Sequence, residues 1–85
     1  MTVIDVRTEA EWNSGHLEGA VLIEWQNILQ LSSDLSKDEE IFLYCRSGNR
    51  SGKATKILLD AGYLKAKNAG SISEASKLLG IKIID

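Results

Sequence analysis

The chain has 85 residues, 44% of them hydrophobic and 26% charged, with ten basic against twelve acidic side chains. That size and balance fit one small core and exclude a disordered chain, and a net charge of −2 argues against a nucleic-acid binder held by bulk electrostatics. No apolar run approaches the roughly 18–20 residues of a membrane span, and one cysteine with one histidine makes neither an internal disulfide nor an all-Cys/His zinc site.

Val3 to Val6 is a short apolar run, the pattern of a buried strand. Thr8 and Glu11 stand at capping-box spacing, so a short helix is predicted after Thr8, carrying Trp12 inward and ending at Gly15. Val21 to Ile23 is a second strand. Trp25, Ile28, Leu29 and Leu31 recur at near-helical spacing, and residues 32–40 read as polar loop. Ile41 to Tyr44, rich in branched and aromatic residues, is the strongest strand pattern in the chain. Ala54, Ile57, Leu58 and Ala61 fall on one face of a helix that Gly62 stops. Leu64 and Ala66 then alternate with Lys65 and Lys67, as on a half-buried strand. A last helix, capped by Ser71 or Ser73, contains Ile72, Ala75, Leu78 and Leu79 and closes at Gly80. Ile81 to Ile84 is either a packed extension or an edge strand.

Strands alternating with helices across short connections predict an α/β domain over residues 1–85. The expected architecture is a small, mostly parallel sheet of about four to five strands with helices on both faces. Ligands of such sheets sit outside the carboxyl ends of the strands, where the loop after Tyr44 falls.

Charge is distributed unevenly around that loop. Residues 1–44 hold two bases and nine acids, net −7, whereas residues 45–67 hold six bases and one acid, net +5. One reading is a solvated helix face followed by a polar strand. The other is a local field that attracts anions.

The loop reads Cys45-Arg46-Ser47-Gly48-Asn49-Arg50. A lone cysteine is ordinarily an inert, buried small residue. This one lies at a strand end, with Arg46 and Arg50 close behind it. Gly48 also permits a tight loop whose backbone N–H groups point inward at the start of a helix. A thiolate there has its pKa drawn below about 8.5. A shift of two units takes roughly 2.7 kcal/mol, within reach of one or two charge-assisted hydrogen bonds.

These segments resemble the rhodanese family of sulfurtransferases. Ile4-Asp5-Val6-Arg7-Thr8 with Glu11-Trp12, and Gly15-His16-Leu17-Glu18-Gly19-Ala20, are similar to its two N-terminal signatures. Tyr44 to Ala54 resembles its active-site loop and following helix, and Gly62-Tyr63 with Asn68-Ala69-Gly70 its later segment. Departures from the pattern are Glu18 in place of Pro, Leu22-Ile23-Glu24 in place of Asn-Ile-Pro, and Ser71 in place of a second Gly. The chain is shorter than most members at its N-terminus, so one peripheral strand is expected to be missing.

The resemblance implies a rhodanese-like fold and a thiosulfate sulfurtransferase that works through a persulfide on Cys45. Arg46, Ser47, Gly48, Asn49 and Arg50 would bind the anionic donor. It implies no metal or organic cofactor. Its partners would be a small anionic sulfur donor and a thiol or cyanide acceptor, with no nucleic acid, no membrane and a monomeric state. Met1 leads straight into the strand pattern; a periplasmic place is expected if a leader was removed ahead of it, and a cytoplasmic one otherwise.

Other roles are weighed beside these. Asp5 and Arg7 read as a strand-end ion pair, with Glu11 nearby, and His16 as a structural member of its turn rather than a general base. Trp12 and Trp25 read as core or pocket wall, and Ser47 and Ser51 as loop hydrogen-bond formers and a helix cap. Two further functions compete: an inactive or persulfide-carrying module of the same fold, and a phosphatase or arsenate reductase. The latter have loops of Cys, five residues and Arg, but here Ser51 occupies the arginine's place and Arg50 comes one residue early.

Overall fold

The computed structural model describes residues 1–33 and 35–85, and side chains other than those of residues 31–34. In chain order it contains β1 (Thr2–Asp5), α1 (Glu9–Asn13), β2 (His16–Leu17), β3 (Val21–Leu22), a 3-10 helix (Trp25–Ser33), β4 (Ile41–Cys45), α2 (Asn49–Asp60), β5 (Ala66–Ser71), α3 (Ile72–Leu79) and β6 (Ile83–Ile84). Four strands form a parallel sheet in the order β3-β1-β4-β5. The chain steps from β1 outward to β3, then crosses back to place β4 on the other side of β1. The strand order therefore reverses between β1 and β4, and their carboxyl ends flank the crevice where ligands of such sheets bind.

Alternation along the central strands divides the core in two. Ile4, Ile41, Leu43 and Cys45 pack with Ala54 and Leu58 of α2 and Ile28 of the 3-10 helix. Val3 and Tyr44 face the other way, against Ala69 and Ala75, with Ile72 and Leu79 of α3 packed alongside. Helices thus cover both faces, as the sequence pattern predicts.

Several local expectations need correction. The predicted strand at Leu64 starts late: Leu64 is 77% exposed in a turn, and β5 runs from Ala66 through Ser71. Alternation of Leu64 and Ala66 with two lysines resembled a strand, but the pairing partner of Ala66 is Ile41, at the very start of β4. Residues 25–33 wind as a 3-10 helix, which suits the three-residue spacing of Trp25 and Ile28. Leu29 of the expected face is half exposed, and the Leu31 side chain lies outside the described residues. No residue of α1 is fully buried, and Trp12 stacks on the His16 ring at 3.7 Å rather than entering the core. Beyond the predicted elements, β2 pairs antiparallel with β6, which settles the tail as an edge strand in a separate ribbon. Among the described residues no helix is long and apolar enough to cross a membrane.

Candidate active site

β4 ends at Cys45, and α2 begins four residues later at Asn49. The turn closes because Gly48 takes φ +95°, a conformation that a side chain would strain, with its α-hydrogen side against Gly70. A β-carbon on Gly48 would lie 3.4 Å from the Gly70 Cα. Gly48 is the N-cap of α2, and no side chain caps it from the usual position. Sequence reading assigns a capping role to Ser47 or Ser51; neither takes it, since Ser51 is already the third residue of the helix.

The cysteine sulfur fills that vacancy. Cys45 Sγ accepts from the Gly48 N–H at 3.0 Å and from the Ser51 N–H at 3.4 Å. These are amides that an α-helix leaves without an internal partner. The Ser51 hydroxyl lies 3.3 Å from the same sulfur. Burial pushes the Cys45 thiol up. Hydrogen bonds from the Ser51 side chain and from the N–H groups of Ser51, Ser47 and Gly48 outweigh it, and the thiol stands below its ordinary value. The partial positive charge of the α2 N-terminus acts in the same direction.

Around the sulfur, charges are largely matched. The Arg50 guanidinium makes a two-pronged pair with Glu11, at 2.7 and 2.9 Å. Glu11 also accepts from the Thr8 N–H in the α1 capping box, so one carboxylate ties α1 to the start of α2. The Arg50 hydrogen bond leads in holding the Glu11 carboxyl down at about 2. Arg7 closes on the buried Asp5 at 2.6 Å and donates to the Gly15 carbonyl, fixing the turn after β1. Glu11 therefore joins Arg50 rather than the Asp5–Arg7 pair. Arg46 is exposed and makes no hydrogen bond or ion pair with the described residues. It lines a hollow of about 410 Å³ with Arg7, Ala10, Glu11 and Ser14.

Of the loop residues singled out in sequence, Gly48 meets the sulfur through its N–H and Arg50 is held by Glu11, while Arg46 and Asn49 face outward and the exposed Ser47 hydroxyl accepts from the Asn49 N–H at 3.4 Å. His16 is engaged with Trp12, both by stacking and through Nδ1 to its carbonyl at 3.0 Å, and no hydrogen bond joins it to Cys45. Sequence reading misses Asn68. Its side chain accepts from the Ser51 hydroxyl at 2.7 Å and donates to the Gly48 carbonyl at 3.0 Å. The Asn68-Ala69-Gly70 segment was visible as a motif, but the pairing of β5 beside β4, which sets Asn68 opposite Leu43 and next to the loop, leaves no sequence signal.

A family profile described as "Rhodanese-like domain" matches residues 1–77. The chain belongs to the rhodanese-like family. Thiosulfate sulfurtransferase 18 of Arabidopsis thaliana is 37% identical over 81 residues, covering 79% of this chain and 60% of the relative. Thiosulfate sulfurtransferase PspE of Escherichia coli is 30% identical over 73 residues, covering 84% of this chain and 70% of the relative. A solved structure described as a rhodanese with anions from E. coli superposes at a TM-score of 0.85 with 26% identity, over 99% of this chain and 96% of that one. Among its relatives the chain spans as little as 16% of the longer protein. Within this rhodanese-like chain, Ser71, which departs from the glycine expected by resemblance, is the N-cap of α3.

Proposed function

We propose that this rhodanese-like chain is a thiosulfate sulfurtransferase that carries the transferred sulfur as a persulfide on Cys45. The Cys45 thiolate attacks the outer sulfur of thiosulfate, the S–S bond of the donor breaks, and sulfite leaves with the electron pair. A thiol or cyanide then attacks the terminal sulfur of the persulfide, which restores the thiolate and yields a new persulfide or thiocyanate. Arg46, unpaired among the described residues, supplies positive charge toward the dianionic donor, and Ser47, Gly48, Asn49 and Arg50 complete the loop around it. The observation that carries this reading is the Cys45 sulfur standing where an N-cap oxygen would stand, with amide donors aimed at it. Such donors favour an anionic sulfur before and after transfer.

Cys45 is buried at the foot of the loop. The test is intact-mass spectrometry after incubation with thiosulfate. A gain of about 32 Da, reversed by reductant and missing in Cys45→Ser, is expected. An unchanged mass on folded protein overturns the proposal. Turnover of an aryl phosphate that disappears in Cys45→Ser would instead assign a phosphatase.

A further inference from the structure

Behind the reactive sulfur lies a short hydrogen-bonded chain that the sulfur-transfer reading does not use. The Ser51 hydroxyl has one proton and two acceptors within reach: Asn68 Oδ1 at 2.7 Å and Cys45 Sγ at 3.3 Å. It serves one of them at a time. Asn68 Oδ1 also accepts from the Gly70 N–H at 2.9 Å, so it keeps a donor even when Ser51 turns away. The orientation of the Asn68 amide is fixed from the other end, because Nδ2 donates to the Gly48 carbonyl and a flipped amide would lose both contacts.

We propose that Ser51 and Asn68 form a two-position relay: Ser51 donates to Asn68 while the sulfur carries its proton, and to the sulfur once that proton has gone. In the first position the Cys45 S–H donates to the Ser51 oxygen, and no polar atom is left unpartnered. In the second, Ser51 gives the thiolate a hydroxyl donor beside the backbone amides, and Gly70 alone satisfies Asn68 Oδ1. Asn68 acts through Ser51 and is a positioning residue; its hold on Gly48 also keeps the loop closed.

Other charged groups face this site from each neighbouring element. They are Asp5 with Arg7 after β1, Glu11 of α1 with Arg50 of α2, Arg46 in the loop, and Glu74 in the α3 cap. All stay in place in Ser51→Ala, which adds no charge, so a change in its titration belongs to the relay.

The inference rests on Cys45 being the reacting group, but its test needs no sulfur donor. The pH profile of Cys45 alkylation by iodoacetamide is followed by intact mass in wild type, Ser51→Ala and Asn68→Asp, with folding checked by circular dichroism. Ser51→Ala should raise the midpoint by about one pH unit, a tenfold smaller thiolate fraction at pH below it. Asn68→Asp should raise it further, since a carboxylate holds the Ser51 proton, adds negative charge and cannot donate to Gly48. An unchanged midpoint in folded Ser51→Ala overturns the relay. A rise in Ser51→Ala alone removes Asn68 from it. Should Ser51→Ala not fold, Asn68→Ala decides: it removes the competing acceptor without adding charge, so the relay predicts a lowered midpoint, and an unchanged one overturns it. Shifted midpoints in a protein that gains no sulfur from thiosulfate would keep the relay and overturn the transferase reading.

Discussion

Three α-helices of this protein follow strands of the parallel sheet, and the first turns of α2 and α3 are finished differently. At the β5–α3 junction the Ser71 hydroxyl accepts from the Glu74 N–H at 3.1 Å, and the Glu74 carboxylate accepts from the Ser71 N–H at 3.0 Å. The capping box is complete, so this helix end has its own oxygens. At the β4–α2 junction the N-cap is a glycine with no side chain, and a sulfur three residues upstream takes the amides. The same backbone requirement is met once by a fixed, inert group and once by a group able to react. A helix start with no capping side chain is therefore a local cost that places donors on Cys45.

The largest effect expected from breaking this contrast is at Cys45. Cys45→Ser should reduce sulfur transfer to background in a thiosulfate–cyanide assay while keeping an acceptor atom for the α2 amides. Cys45→Ala should lose that acceptor as well, and cost about 1 kcal/mol by urea denaturation relative to Cys45→Ser. Equal stability of the two variants would show that the sulfur is no cap.

Next is the turn itself. Gly48→Ala puts a side chain at φ +95° and a methyl 3.4 Å from Gly70. A loss of about 1–2 kcal/mol is expected, together with slower persulfide formation because the Gly48 N–H is displaced from the sulfur. Ser71→Ala should cost about 1 kcal/mol, similar to other N-cap losses, and leave the alkylation rate of Cys45 at the wild-type value. A changed alkylation rate there would mean that the two junctions are coupled.

The smallest effect concerns the pair that links α1 to α2. Glu11→Gln keeps an oxygen for the Thr8 N–H but removes the charge that holds Arg50. With both partners partly exposed, the stability change should stay below about 1 kcal/mol. The freed Arg50 should lower the KM for thiosulfate by up to about fivefold at low salt, and the gain should fade as salt is raised. The Glu11 carboxyl is drawn down from 4.5 to about 2, so its contribution is complete above pH 4.5 and is lost as pH falls toward 2. The stability difference between wild type and Glu11→Gln should therefore be constant from neutral pH to about 5 and shrink below it.

Much of the architecture was legible in the sequence because each piece depends on neighbours a few residues away. Thr8 with Glu11 wrote the start of α1, the apolar face from Ala54 to Leu58 wrote α2, and Ile41 to Tyr44 wrote the central strand. Cys45 drew attention through its place at that strand's end, and the spacing of its arginines separated the loop from those of phosphatases. Where a pattern was short or ambiguous, reading by proximity failed: Leu64 with Ala66 imitated a strand that begins only at Ala66, and β2, of two residues, carried too little pattern to be seen.

What the chain order by itself determined is the set of elements, their parallel arrangement and the residue types at the loop, all consequences of local periodicity, turn chemistry and the short connections between strands. Only the tertiary structure decided which partners the loop's groups take. Glu11 reaches Arg50 across 39 positions and Asn68 reaches Ser51 across 17, through the order in which the strands pair. Such pairings arise because packing the sheet brings distant strand ends to one edge, and buried polar groups there must find donors and acceptors in whatever the fold sets beside them.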